Sequence, residues 1–306
     1  MSDCASLAGN ATKITARGFG WTHAGRSEPA LSDIDVVIEP GERVLLCGDS
    51  GSGKSTFLAA MAGVLGSDEE GTRTGELLLE DSSGLVEEPG HTIPVGLVLQ
   101  DPDSQVISAR VGDDIAFGCE NLAYPREEIW RRVAAAKELV GPFVDLDFPT
   151  ERLSGGQKQR LALAGVIAMG AGVVLLDEPT ANLDPAGARD VVRAVSRLVE
   201  ETGATLVVVE HQHAAWDGVL DRAVELDHGR IVADTSFAEV AQRRQVSGLP
   251  QARRLSEAEL AQRDAALWST DLVTRYGPPR TIALPAGAST VITGPNGAGK
   301  STWLMT

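Results

Sequence analysis

Residues 48–56 read GDSGSGKST and stand between the aliphatic run at 43–47 and a helix-compatible stretch beginning near Lys54. No other segment limits the fold of this chain so tightly. It fits G-x-x-x-x-G-K-[ST], a pattern that carries meaning only when a strand precedes it and a helix follows. Gly48, Gly51 and Gly53, with Asp49, Ser50 and Ser52 between them, allow backbone N–H groups to turn inward around phosphates. The helix N-terminus running on through Thr56 adds partial positive charge, Lys54 supplies a cation, and the Ser55 hydroxyl is placed to ligate Mg²⁺. The pattern returns as GPNGAGKST at 294–302, 246 residues on, again after a turn glycine and an apolar strand. A module of about that length is expected, so the chain reads as one complete module (1–240), a polar linker (241–265) and the opening of a second, truncated module (266–306).

Inside the first module, short aliphatic runs at 43–47, 95–99, 173–176 and 206–209 alternate with helical stretches, which predicts an α/β fold around a mostly parallel sheet. Residues 111–140 hold two helical segments instead, the second opening at Pro125 and closing at Gly141-Pro142. They predict a helical subdomain, spanning about 101–165, inserted into the sheet domain. With 306 residues, 43% hydrophobic and 23% charged, the chain has ordinary globular composition, which excludes a disordered or collagen-like chain. The balance of 27 basic against 43 acidic residues, net −16, argues against nucleic-acid phosphates as partners. Three cysteines without metal-ligand spacing suit a reducing compartment, and the N-terminal residues lack the pattern of a secretory signal. The longest stretch of apolar residues and glycine, 161–176, is shorter than the roughly 20 residues a membrane-spanning helix needs, so a cytoplasmic chain is expected.

Two further segments carry chemistry. VVLLDEPT sets Asp177 at the carboxyl end of a buried strand, where a carboxylate can hold Mg²⁺ through water, and Glu178 beside it is a candidate to polarise an attacking water. In LSGGQKQR, Ser154 followed three residues on by Gln157 is a capping-box pattern, while Gly155 and Gly156 leave the helix N-terminus bare as an anion site.

The order phosphate loop, LSGGQ, LLDEPT resembles the ATP-binding cassette (ABC) ATPases across the whole first module. The resemblance implies a P-loop NTPase fold with a mostly parallel core sheet, an antiparallel β subdomain and an inserted helical subdomain. It implies ATP and Mg²⁺ as ligands, with Ser154, Gly155, Gly156 and Gln157 contacting ATP held by a different module. Gln100 then matches the glutamine that reaches Mg²⁺ and the attacking water, Asp184 the loop communicating across the dimer, and His211 the switch histidine at the γ-phosphate. Trp21 is the candidate aromatic for stacking adenine, with Phe19 as its rival. Glu210 and Gln212, flanking His211, depart from the commoner Thr and Asp.

A narrower resemblance lies in residues 100–128, which are similar to the ATPase subunits of energy-coupling factor (ECF) importers: Pro-Asp-x-Gln after the glutamine, an acidic pair before Ala-Phe-Gly, and Glu-Asn-Leu before Pro-Arg-Glu-Glu. It implies a peripheral subunit on the cytoplasmic face of the cell membrane, partnered by a transmembrane coupling subunit, a membrane subunit that captures a vitamin or transition-metal ion, and a second cassette, either identical or paralogous. The alternatives are the ATPase of a conventional ABC importer or exporter, a soluble ABC ATPase of DNA repair or translation, and a nucleotide-binding module without hydrolysis. The last is disfavoured by the presence of both Glu178 and His211.

Overall fold

The computed structural model describes residues 11–66, 70–141, 144–211, 213–246, 255–273, 280–290 and 292. The second phosphate loop, at 294–302, lies outside the described residues, as do Cys4 and Gln212. Two compact units are formed, Met1–Leu183 with Gly187–Arg244, and Asp184–Ala186 with Gln245–Thr306.

The first unit opens with the antiparallel pair β1 (Lys13–His23) and β2 (Leu31–Ile38), and then β3 (Arg43–Cys47) leads into α1 (Lys54–Met61). β4 (Gly71–Glu80) and the short β5 (Val86–Glu87) extend the first pair into a four-stranded sheet of order β2-β1-β4-β5. After β6 (Val95–Val98) come α2 (Val111–Asn121), α3 (Arg126–Leu139) and α4 (Gly155–Met169). β7 (Val173–Asp177), α5 (Pro185–Thr202) and β8 (Thr205–Val209) follow, and then the hairpin β9 (Arg222–Asp227) and β10 (Arg230–Ser236) and the helix α6 (Phe237–Val246).

The larger sheet has the order β10-β9-β3-β8-β7-β6, parallel throughout except for β10. Its strands are nearly continuous aliphatic runs because both faces are covered. Alternate residues serve opposite cores. Leu45, Val174, Leu176, Leu206 and Val208 pack with the helices α2 to α5, whereas Val44, Leu46, Val173, Leu175, Val207 and Val209 pack with α1 and the antiparallel sheet. The strands expected at 43–47, 95–99, 173–176 and 206–209 thus appear within one residue of those limits.

The second unit holds α7 (Glu257–Ala261), capped by Ser256 in a capping box, and an antiparallel pair, β11 (Ala265–Leu272) with β12 (Arg280–Pro285). The expected boundary at 240/241 falls inside α6.

Candidate functional site

Open parallel sheets present ligand groups at the carboxyl ends of their strands. Here that end of β3 is the loop 48–53, and backbone crowding explains its glycines. A Cβ on Gly48, at φ +139°, would lie 2.1 Å from Leu226 O, and one on Gly53, at φ +104°, 2.7 Å from Ala30 O. Lys54 is 7% exposed and its Nζ donates to Gly48 O at 2.9 Å and Asp49 O at 2.7 Å, so the ammonium is held in the loop's own concavity. Asp49, Ser50 and Gly51 are exposed, while Ser52 is buried.

At the carboxyl end of β7, burial pushes the Asp177 carboxyl above the usual range, against the pull of a Ser55 hydroxyl hydrogen bond and the charges of Lys54 and His211. A half-buried acid beside a hydroxyl forms an all-oxygen donor set, which suits Mg²⁺, and a cation there would restore the ionised form. Ser55 and Asp177 would hold it. When bound, Mg²⁺ supplies positive charge at the phosphoryl oxygens of the nucleotide.

Glu178 adopts φ +47°, a left-handed conformation that a non-glycine residue keeps only where its surroundings fix it. Its N–H donates to Val209 O at 2.9 Å, anchoring it across the end of β8. Its carboxylate lies between two partners from different segments: Gln100 Nε2 donates to Oε2 at 2.8 Å, and His211 Nε2 lies 3.0 Å from Oε1. The carboxylate is 21% exposed and the imidazole 50%, so both reach solvent where a substrate can arrive. Three residues singled out separately in the sequence, about 78 and 33 positions apart, meet here. An ionised carboxylate held this way can take a proton from water, and the amide and imidazole fix its orientation.

Ser154 caps α4, its N–H donating to Gln157 Oε1 at 2.8 Å and its Oγ accepting from Gln157 N at 3.4 Å, as the capping-box spacing predicts. Gly155 and Gly156 are not demanded by the chain's own packing, since added Cβ atoms would meet other groups only at 3.6 Å or more. The bare helix end is therefore available to an outside ligand. Asp184 Oδ1 accepts from Ala186 N at 3.1 Å, capping the start of α5.

One assignment is corrected. Trp21 is 5% exposed and Phe19 1%, both within the core between β1, β4 and α1, and Trp21 Nε1 is 3.1 Å from His23 Nδ1. A stacking platform for a nucleotide arriving from solvent needs a ring exposed at the surface, which neither is. The exposed ring at this strand end is His23, set edge-on to Trp21 with centroids 6.1 Å apart. Its proximity to the strand end was legible, but an imidazole among aromatics gave no signal.

Sequence reasoning also missed how the Gln100 turn is held. Gln105 Oε1 accepts from Leu99 N at 2.8 Å and Gln105 Nε2 donates to Leu99 O at 3.0 Å, while Gln159 of α4 donates to the same carbonyl at 3.1 Å. Lys158 of α4 pairs with Asp103. The glutamine turn is thereby fastened to the helix that begins at Ser154. By contrast, a cavity of about 260 Å³ near Pro94, Gly172 and Arg132 sits at the amino ends of β6 and β7, the end away from these groups.

Comparisons with known proteins agree with this geometry. A family model described as ABC transporter matches residues 31–181. The energy-coupling factor transporter ATP-binding protein EcfA1 of Caldanaerobacter subterraneus subsp. tengcongensis is 39% identical over 216 residues, covering 70% of this chain and 76% of that one. A provisionally named ABC transporter ATP-binding protein of Methanosarcina acetivorans is 37% identical over 227 residues, 73% of this chain but only 35% of the relative's length. Among solved structures, cbiO1 from Clostridium perfringens, part of the ABC transporter complex cbiONQ, superposes with a TM-score of 0.65 at 29% identity, over 76% of this chain and 92% of that one. The ATP-binding cassette MJ0796 shares the fold, with a TM-score of 0.60 at 22% identity. Fold and site define a P-loop ATPase. The chain belongs to the ABC transporter ATP-binding family and carries an ABC ATPase domain.

Proposed function

We propose that the chain is the ATP-hydrolysing subunit of an ECF-type importer for a vitamin or transition-metal ion. Hydrolysis is carried by one observation above all, the Glu178 carboxylate held between Gln100 and His211 at 2.8 and 3.0 Å. In this reading Lys54 and the loop N–H groups bind the ATP phosphates, Ser55 and Asp177, with Gln100, would hold Mg²⁺, and Glu178 takes the proton of the attacking water. Ser154, Gly155, Gly156 and Gln157 serve ATP held by another module, so the working unit is a dimer of cassettes.

The importer reading rests on residues 100–128 and on the likeness to EcfA1. Leu99 and Ile107, on either side of the Gln100 turn, are 40% and 60% exposed, an apolar offer to a partner. Asp114 Oδ2 accepts from Ile107 N and Ser108 N, both at 2.8 Å, and Thr150 Oγ1 donates to Ser108 O at 2.6 Å, so the apolar loop is held firmly. A helix of a membrane subunit fits this surface, which sits one turn from Gln100. Among the described residues no helix is long and apolar enough to cross a membrane, and a peripheral place on the cytoplasmic face follows from the importer reading.

A tandem arrangement is also supported. The pair β11–β12 repeats β1–β2 in register: Leu267, Trp268, Ser269 and Leu272 face Leu284, Ala283, Ile282 and Arg280 as Ile14, Thr15, Ala16 and Phe19 face Ile38, Val37, Val36 and Ile34. The bulge falls at the same place, with Asp271 at φ +51° where Gly18 has φ +54°. Asp271 N donates to Thr281 Oγ1 at 3.1 Å as Gly18 N donates to Asp35 Oδ1 at 2.8 Å.

Ile107→Glu tests the partner. It is expected to abolish co-purification with the membrane complex while leaving ATP binding by the isolated chain unchanged. Tight DNA or RNA binding at physiological salt, with the steep salt slope of phosphate contacts, would contradict the importer reading.

A further inference from the structure

Two glutamates leave the carboxyl ends of adjacent strands. Asp177 and Val209 are register partners in β7 and β8, so Glu178 and Glu210 follow them side by side. Glu178 turns outward to Gln100 and His211. Glu210 turns inward and is 3% exposed. A carboxylate is costly to bury unless hydrogen bonds compensate it, so such a residue is held for what it bonds. Its Oε2 accepts from Thr180 Oγ1 at 3.0 Å, and its Oε1 from the His211 N–H at 3.2 Å. Thr180, itself 5% exposed, belongs to the turn that starts at Glu178 and is closed by Ala181 N donating to Glu178 O at 3.1 Å. One buried carboxylate therefore ties the turn that aims Glu178 to the backbone of His211.

We propose that Glu210 is a positioning residue for hydrolysis: it sets the spacing between Glu178 and His211 without touching substrate. The proposal rests on the reading of Glu178 as the group that activates water. A base displaced by about 1 Å loses up to roughly 10²-fold in rate, which is the scale of effect expected here.

The test compares Glu210→Ala and Thr180→Val, in the full chain with its dimer partner, under saturating Mg-ATP. Each is expected to lower kcat by about 10- to 100-fold while KM for ATP stays within about twofold. The double variant is expected to be no worse than the poorer single one, because both cut the same tie. In a His211→Ala background, Glu210→Ala is expected to add less than about twofold. Thr180→Val removes one hydroxyl at nearly constant volume, so it decides the matter if Glu210→Ala does not fold. Unchanged kcat in either folded variant, or a raised KM at native kcat, would overturn the proposal. Should Glu178→Gln hydrolyse at the native rate, the functional reading fails separately, and the imidazole nitrogen resonances of His211 still decide. A change in their chemical shifts on Thr180→Val supports positioning, and unmoved signals refute it.

Discussion

Glu178 carries two costs, a left-handed backbone at φ +47° and a partly buried charge, and the surrounding hydrogen bonds hold it in spite of both. Its candidacy was legible in the sequence, since an acid following an aliphatic run next to a phosphate loop has few other uses. Its tie through Glu210 to Thr180 was not, because the two lie 30 residues apart and meet only when β7 and β8 pair. Trp21 misled for a related reason: an aromatic ending a strand reads the same whether it faces core or ligand. Lys54→Ala is expected to weaken ATP binding by roughly 10- to 100-fold, the worth of hydrogen bonds to a charged group. Unchanged affinity by calorimetry would remove Lys54 from the site. Cys47 and Cys119 are buried, and burial pushes the Cys119 thiol up to about 11. Both are expected to resist alkylation at about pH 8 until the chain unfolds, as peptide mapping by mass spectrometry would read.

Among the elements, the helices were legible from their ends. Pro125 and Gly141 bracket α3, and the Ser154–Gln157 box opens α4, because caps satisfy backbone groups that a helix cannot. The loop 106–109 was legible only as a similarity, since its rigidity depends on Asp114 reaching back to two N–H groups. Burial pushes the Asp114 carboxyl above its usual range, opposed by those two bonds. Its folded pKa thus exceeds its unfolded value, so ionisation costs stability as pH rises from the ordinary carboxylate range, and the cost is absent below it. Asp114→Asn keeps an acceptor for both donors and removes the charge. Relative to the native chain, its melting temperature is expected to be more favourable at about pH 8 than at about pH 4. The reverse order would contradict the assigned cause.

For the whole molecule, the proposed ATP sandwich sets how activity depends on assembly. The LSGGQ segment at 153–157 serves ATP held by another cassette, so the phosphate loop at 48–56 needs a partner chain or cassette. Specific ATPase activity of the chain alone is therefore expected to rise with protein concentration, and a constant rate from a proven monomer would contradict pairing. The two-faced burial of the main sheet was legible because parallel strands read as unbroken aliphatic runs. The antiparallel sheet was not readable strand by strand, because bulges in β1 break its alternation. What that sheet and α1 hold in place is the phosphate loop, and what β6, β7 and β8 bring together is Gln100, Glu178 and His211. Phosphate release from Glu178→Gln at saturating Mg-ATP, measured beside the native chain in the same assembly, tests this arrangement most directly. A loss of roughly 10²- to 10⁴-fold with ATP still bound is predicted for removal of the base, and release at the native rate would contradict the account.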